Sequence, residues 1–216
     1  MSNKICVVVI HYQTPDLLSE AMTSFRTFYP NNKLVVIDNG SALKYRNQIK
    51  RFQENSTLNT NFVFLQKNIF HGPAMDYAAH IVDDDLIFYL DSDTEVKCGG
   101  FLEKMESIFA QEQNVYAVGS LRNVNKRGFV SEKGLPMPAT AHMMIRRSLY
   151  IQLPAFEHHG MPILRNMQAA YNRGWKIKSF PIEDYIEHKW QGTANRFGYN
   201  LGIRGKIDYL LNKIGL

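Results

Sequence analysis

The stretch "FYLDSDTEV", residues 88–96, ends an apolar run with three acidic side chains within five positions. Like charges this close repel one another and lose solvation, so the fold has to compensate them. In open α/β sheets, ligands bind beyond the carboxyl ends of the strands, where polar loops begin. A D-x-D step such as Asp91 and Asp93 lets two carboxylates converge on one hard divalent cation, Mg²⁺ or Mn²⁺. We therefore expect a metal site at the end of this strand.

Strand and helix signals alternate through the first hundred residues, which predicts βαβ units on a mostly parallel sheet. The segments "KICVVVIH", "KLVVID", "NFVFLQ" and "LIFYLD" are the predicted strands. Thr14 is a helix-capping residue, and Pro15 suits the first turn of the helix after the first strand. Later segments, "VYAVGSL" and "TAHMMI", predict two strands joined by a long loop, and "WKIKSF" and "YIEHKW" predict two more. The sequence thus predicts an α/β fold with a central, mostly parallel sheet flanked by helices.

The composition is that of a globular protein, since 45% of the 216 residues are hydrophobic and 21% are charged. No apolar run approaches the roughly 20 residues that span a bilayer, and the first residues read as a strand, not a signal peptide. Cys6 and Cys98 form no CxxC pair, so neither a disulfide framework nor a cysteine metal site is expected. We expect a cytoplasmic location.

The net charge of +5 is unevenly distributed along the chain. From residue 146 onward there are 11 Lys and Arg against 5 Asp and Glu, a net +6. Such a basic segment favours anionic partners, phosphates or a membrane surface among them, with an ordinary solvated face as the alternative. No basic stripe is interleaved with aromatic residues, so we expect no nucleic-acid partner.

Two other acidic motifs compete for the D-x-D stretch. A calcium-binding loop starting at Asp91 needs Gly at its sixth position and Glu at its twelfth. Val96 and Leu102 stand there, which excludes that motif. A metal-dependent phosphohydrolase with Asp91 as nucleophile would need Thr where Glu95 stands, and it stays open only as an alternative.

Four motifs, taken in order, resemble those of GT-A fold glycosyltransferases, and most of all the large family two of nucleotide-sugar enzymes. "VVVIHYQTPDLL" is similar to the family's first-strand pattern "VVTYNRPDLL", and "VVIDNGS" to its "VVDDGS". "NIFHGPAMDYA" is similar to its "N-x-G-x-A-x-N" helix start, and "LIFYLDSDTEV" to its "LFLDDD" segment. The resemblance covers about residues 5–120. It implies one GT-A domain over residues 1–216, with a nucleotide-sugar-binding half (about 1–97) and an acceptor-binding half (about 98–216).

The resemblance implies a nucleotide-sugar site along the ends of the first strands. The positions that match the family's contacts are Ile10, His11, Tyr12, Asp38, Asn39, Asn68, Gly72, Asp76, Asp91 and Ser92. Asn39 stands where many members have a second Asp, and an amide donates as well as accepts hydrogen bonds. The choice of nucleotide base is therefore left open. Met75 replaces the family's Arg, which removes one expected charged contact.

The resemblance also implies a metal and its ligands. Asp91 and Asp93 match the acidic pair that binds Mn²⁺ or Mg²⁺, and related enzymes add a late His in an "H-x-x-G" setting. "YIEHKWQGTA" offers His188 for that role, although a packed core histidine is the alternative.

The catalytic base departs from the family pattern. Inverting members use a carboxylate from an "E-D-x-D" helix start to deprotonate the acceptor hydroxyl. Residues 162–165 stand at that position and contain no acid. The nearest candidates are Glu157, His158 and His159 in "FEHHGMP", since a histidine near neutrality can also act as base. We expect an inverting hexosyltransferase, with a retaining mechanism left open.

The implied partners are a nucleotide diphosphate sugar donor and a carbohydrate or lipid-linked acceptor, in polysaccharide or glycoconjugate synthesis. The last predicted helix places Ile203, Ile207, Leu210, Leu211 and Ile214 on one face. Three interpretations of that apolar face stay open: peripheral contact with the inner face of a membrane, a homodimer, and an ordinary surface helix. A non-catalytic nucleotide-sugar-binding module stays open as a further alternative, because the family's base motif is missing.

Overall fold

A computed structural model of the protein describes residues 4–56, 59–198 and 202–213, which form nine strands and eight α-helices. The strands are β1 (Ile5–His11), β2 (Lys33–Asp38), β3 (Thr60–Phe64), β4 (Leu86–Asp91), β5 (Thr94–Val96), β6 (Val115–Val124), β7 (Leu135–Arg146), β8 (Lys176–Ser179) and β9 (Ile186–His188). The helices are α1 (Pro15–Phe28), α2 (Leu43–Asn55), α3 (His71–Ile81), α4 (Phe101–Gln111), α5 (Arg147–Tyr150), α6 (Leu164–Asn172), α7 (Thr193–Phe197) and α8 (Gly202–Lys213).

Seven strands form one sheet in the order β3-β2-β1-β4-β7-β6-β8, and β5 and β9 pair separately. The first four strands of that order run parallel to one another, β7 runs antiparallel to both of its neighbours, and β8 is parallel to β6. The predicted α/β fold with a mostly parallel sheet flanked by helices is confirmed. The division into two functional halves near residue 97 stays a prediction.

The strands are apolar on both sides because helices cover both faces of the sheet. On β1, Val7 and Val9 pack into one core layer with residues of α1 and α4. Cys6, Val8 and Ile10 point to the opposite face and pack with residues of α3 and α6. This alternation places one core layer on each side of the central strands.

The β6–β7 hairpin differs from the sequence prediction. The stretch from Arg122 to Pro138 reads as a long loop because it is polar, but it pairs as a ladder up to Val124 and Leu135. Backbone hydrogen bonds, which composition does not reveal, extend the strands there. The true loop is residues 125–134, and the hairpin reaches well beyond the end of β4.

The last helix, α8, ends at Lys213, and Ile214 lies outside the described residues. Ile203, Ile207 and Leu210 are exposed on it. Across the described parts of the chain, no helix combines the length and the apolar character that crossing a membrane requires.

Candidate active site

The carboxyl ends of β1, β2 and β4 meet at one edge of the sheet. Because these strands are adjacent and parallel, the register sets His11 opposite Asp38 and Ile10 opposite Asp91. The polar groups that the sequence placed in three separate loops therefore lie along one rim, the position where open α/β sheets bind ligands.

Asp91, Asp93 and His188, the three predicted metal ligands, form a cluster at this edge. The short β5–β9 pairing sets Thr94 opposite His188 and so carries the imidazole to the end of β4. His188 Nε2 lies 3.4 Å from Asp91 Oδ2 and 3.4 Å from Asp93 Oδ1. One ligand atom from each residue can be chosen so that all three lie within 4.8 Å of one another.

The chemistry of this donor set fits a divalent cation. Two carboxylates supply the hard oxygen ligands that Mg²⁺ and Mn²⁺ prefer, and an imidazole nitrogen favours the transition metal of the two. The third acid of the opening stretch, Glu95, takes no part. It pairs with Lys97 at 2.9 Å and Lys189 at 3.3 Å, so its charge is compensated without a metal.

Asp91 and His188 shift each other's pKa in opposite directions. Burial raises the pKa of Asp91, but the hydrogen bond with His188 and the charge of His71 outweigh it and hold that pKa at about 2. For His188, burial lowers the pKa, while the hydrogen bond to Asp91 and both carboxylates raise it above the ordinary value. The Asp91 carboxylate is therefore ionised near neutrality. A metal would compete with the proton for the His188 imidazole.

A segment that we call the strap, residues 189–198, folds onto Asp93. Asp93 Oδ2 accepts hydrogen bonds from the backbone N–H groups of Gln191 at 3.0 Å and Gly192 at 2.8 Å. Further along, Arg196 makes a two-pronged ion pair with Asp16 at 3.0 and 2.8 Å. These contacts join the strap to the metal-ligand cluster at one end and to α1 at the other.

His11 and Asp38 form a buried pair at the ends of β1 and β2. His11 Nε2 accepts the backbone N–H of Thr14 at 2.8 Å, so the ring proton is on Nδ1, which lies 3.3 Å from Asp38 Oδ1. The Thr14 hydroxyl makes no cap, contrary to the sequence prediction, although α1 begins at Pro15 as expected. Arg46 Nε donates to the other Asp38 oxygen at 3.2 Å. Burial raises the pKa of Asp38, but the hydrogen bonds that it accepts, first from His11, lower it overall.

Asn39 fixes the loop before α3. Its Oδ1 accepts the Ile69 N–H at 3.0 Å, and its Nδ2 donates to Asn68 Oδ1 and to the Phe70 carbonyl, each at 3.2 Å. Asn68 Oδ1 also accepts the Phe70 N–H at 2.7 Å. Phe70 has φ 69° and ψ 167°, a conformation that only glycine adopts readily, so this network holds a strained residue.

The candidate base residues lie in a loop that sits on the first turn of α3. A Cβ on Gly72 would lie 2.0 Å from the Glu157 carbonyl oxygen, so this close approach requires glycine. Glu157 pairs with Arg165 of α6 at 2.6 Å. The His158 ring stacks on Phe70 at 3.5 Å.

The remaining predicted residues are placed as follows. His159 is 5% exposed. Its Nδ1 accepts a hydrogen bond from the backbone N–H of Met161 at 2.9 Å. Ile10 packs in the core, Tyr12 is half-buried at the rim, and Ser92 is buried between the two acids. Asp76 accepts a hydrogen bond from the Tyr150 hydroxyl. Nucleotide contacts by these residues stay predictions.

Two histidines near the cluster were missed by the sequence reasoning. His71 begins α3, with its Nε2 3.9 Å from Asp91 Oδ1. His142 on β7 is 6% exposed, its ring lies edge-on to His188 at 5.5 Å, and its Nε2 has no hydrogen-bond partner in the structure. Burial lowers the pKa of His142 to about 4. The one sequence signal for it is a histidine among the apolar residues of the segment "AHMMI".

Comparison with solved structures shows a shared fold. The mannosyltransferase PcManGT from Pyrobaculum calidifontis, in complex with GDP-Man and Mn²⁺, has a TM-score of 0.69 at 16% identity, covering 84% of this chain and 55% of that one. A fragment of TarS from S. aureus, in complex with UDP-GlcNAc, has a TM-score of 0.61 at 16% identity, covering 86% and 60%. The chain thus spans little more than half the length of either.

Comparison of the sequence gives the family. No protein among the curated ones matches. The model of the family described as glycosyl transferase family 2 matches residues 6–174, which is most of the chain and extends from within β1 to just past α6. The chain belongs to glycosyl transferase family 2.

Proposed function

We propose that this protein transfers a sugar from a nucleotide diphosphate sugar to an acceptor hydroxyl and needs Mn²⁺ or Mg²⁺ to do so. The observation that carries the proposal is the convergence of Asp91, Asp93 and His188 at the end of β4. The mannosyltransferase PcManGT, whose fold this chain shares, is in complex with GDP-Man and Mn²⁺, which supports the same class of donor.

Different residues at the carboxyl edge of the sheet would bind different parts of the donor. Asp91, Asp93 and His188 would hold the cation, which when bound neutralises charge on the departing diphosphate. The nucleoside would lie over β1 and β2, where Tyr12 is half-buried and Asn39 fixes the loop before α3. The N-terminus of α3 faces the same edge, and its positive dipole favours phosphate oxygens.

The acceptor hydroxyl needs a base if the reaction inverts the sugar. We place that base in the loop of residues 157–159, because this loop sits on the first turn of α3, beside the edge that carries Asp91. His159 is the least accessible of the three candidates, which favours Glu157 and His158. Arg165 holds the Glu157 carboxylate at the first turn of α6, where the family motif would have its acids.

A cationic cavity supports an acceptor site beside the β6–β7 hairpin. It has a volume of about 480 Å³, lies beside the β6–β7 hairpin loop, and is lined by Lys126, Arg127 and Lys133, with no carboxylate among its described lining residues. The hairpin tip packs on the base loop, since a Cβ on Gly128 would lie 3.5 Å from His159 Cε1. These positive charges favour an acceptor that carries phosphate, as a lipid-linked or phosphate-containing carbohydrate does.

The finer expectations complete the proposal: an inverting hexosyltransferase, acting in polysaccharide or glycoconjugate synthesis, in the cytoplasm. Cys6 and Cys98 are both free thiols. The exposed apolar face of α8 supports peripheral membrane contact or a homodimer.

Release of nucleoside diphosphate tests the proposal directly. A panel of GDP-, UDP- and TDP-sugars is incubated with the protein and candidate acceptors, with Mn²⁺, with Mg²⁺ and with a chelator. We expect release from one nucleotide class only, with transfer of the sugar, and loss of turnover on chelation. Phosphate release from a phosphomonoester without sugar transfer would support the phosphohydrolase instead, and donor binding without any turnover would support a binding module.

A further inference from the structure

Trp190 is a large aromatic side chain exposed beside the metal-ligand cluster. Its side chain is 64% exposed, although tryptophan is highly buried on average. Its ring centroid lies 4.1 Å from that of His188, and its backbone N–H donates to His188 Nδ1 at 3.2 Å. The indole therefore lies within one ring contact of the residue that would hold the metal.

The backbone of Trp190 is held in a strained conformation. Its φ is 55°, in the left-handed region that bulky residues rarely adopt, and such strain persists only where neighbours fix it. The flanking residues supply that constraint on Asp93: the Lys189 N–H donates to its carbonyl at 2.9 Å, and the Gln191 N–H to its carboxylate at 3.0 Å. Asn195 also donates to the Trp190 carbonyl. The strap thus presents an exposed indole from a fixed position beside the cluster.

We propose that the indole of Trp190 is a stacking platform for a sugar ring of the substrate. This inference rests on the proposed function. A pyranose ring has an apolar face of C–H groups, which a flat aromatic surface covers well, while the hydroxyls at its edge stay hydrated. In a nucleotide sugar the diphosphate carries the sugar at one end and the ribose of the nucleoside at the other. The Asp91, Asp93 and His188 cluster would bind the diphosphate through its metal, so a side chain beside the cluster and away from the nucleoside lies on the side of the sugar.

The same stacking chemistry suits two sources, the sugar of the donor and the sugar of the acceptor. A nucleobase is the competing ring, but the positions that match the family's base contacts, His11 and Asp38, lie at the ends of β1 and β2, whereas Trp190 adjoins the ligands of β4 and β9. The experiment has to separate these three rings.

Tryptophan fluorescence can separate them, because the chain has only two tryptophans, Trp175 and Trp190. Trp175 is half-buried against Tyr116, and Trp175→Phe leaves Trp190 as the only indole. We expect emission of this variant to be quenched by the Mn²⁺ complex of the intact nucleotide sugar, or by acceptor sugar alone, and much less by nucleoside diphosphate with Mn²⁺. The proposal would be overturned if the nucleoside diphosphate quenched as strongly as the nucleotide sugar and the acceptor sugar did not quench at all. That result would mean that the nucleobase stacks on Trp190.

Steady-state kinetics give the second test. Trp190→Ala should lower kcat/KM about tenfold, through KM for whichever substrate stacks, and Trp190→Phe should restore most of it. Phe197→Ala, which removes another exposed aromatic from the strap, is the matched control and should change little. Unchanged kinetics in Trp190→Ala, with wild-type activity present, would overturn the stacking role alone. Inactivity of the wild type toward every nucleotide sugar would instead contradict the proposed function.

Discussion

At the residue scale, each acidic side chain of the opening stretch has its own solution to the cost of crowded charge. Glu95 is paired with lysines, Asp93 accepts backbone N–H groups of the strap, and Asp91 faces two histidines. Of the three, only Asp91 and Asp93 converge with His188, at distances that suit a shared cation. Of the three acids, Glu95 is thus compensated by lysines, and Asp91 and Asp93 form the pair that the proposed function assigns to a cation.

The network around Asn39 predicts a loss of stability in Asn39→Asp. A carboxylate cannot donate to the Asn68 oxygen and the Phe70 carbonyl, so two acceptors would face a negative charge. We expect the free energy of unfolding to fall by about 2 kcal/mol in denaturant titration. Asn47→Asp, on the exposed face of α2, is the control and should have almost no effect. If Asn39→Asp and the wild type were equally stable, the hydrogen bonds of Asn39 would not stabilise the loop before α3.

The base candidates predict a separation between kcat and donor KM. Replacing the true base by glutamine should lower kcat at least a hundredfold and leave donor KM nearly unchanged, because the base acts on the acceptor proton. We expect this effect in Glu157→Gln or His158→Gln. In His159→Gln we expect mainly reduced stability, since that ring is buried. If neither Glu157→Gln nor His158→Gln lowers kcat, the base does not come from this loop.

At the scale of elements, β7 brings a buried histidine into the core beside the cluster. Burial lowers the pKa of His142 from 6.5 to about 4, so the unfolded chain binds its proton more readily than the folded protein. Its contribution to stability is complete above about pH 6.5 and is lost as the pH falls toward 4. A shift of this size is worth about 3 kcal/mol at most.

The matching experiment compares the unfolding free energy of wild type and His142→Gln between pH 7 and pH 4. Acidic groups titrate in both proteins, so the difference isolates His142. We expect the wild type to lose about 2–3 kcal/mol more than the variant over this range. His142→Asn serves if the glutamine variant folds poorly, and parallel pH profiles of wild type and variant would contradict the assignment.

The elements also show what the sequence could and could not predict. The strands β1, β2 and β4 were predictable because burial on both faces makes each a continuous apolar run. The length of the β6–β7 hairpin was not, because its outer ladder is held by backbone pairing of polar residues. The positions of Trp190 and His142 beside the cluster were not predictable from the sequence either. They depend on the long-range pairing of β9 with β5 and of β7 with β4.

At the scale of the whole molecule, the basic cavity beside the hairpin predicts how the acceptor is bound. The variant Lys126→Ala/Lys133→Ala should raise KM for a phosphate-bearing acceptor about tenfold and weaken its dependence on salt, because two positive charges are removed. Donor KM should not change. Lys50→Ala, an exposed lysine on α2, is the control. An unchanged acceptor KM in the double variant would move the acceptor site elsewhere.

The proposed function has one physical requirement, a diphosphate that a metal ion holds at the end of β4. Calorimetric titration of the protein with UDP and with GDP, each with and without Mn²⁺, measures it most directly. We predict that one of the two nucleotides binds, and only when Mn²⁺ is present. This binding should be lost in Asp93→Asn and kept in Glu95→Gln. Equally tight binding without metal, or in Asp93→Asn, would contradict the account.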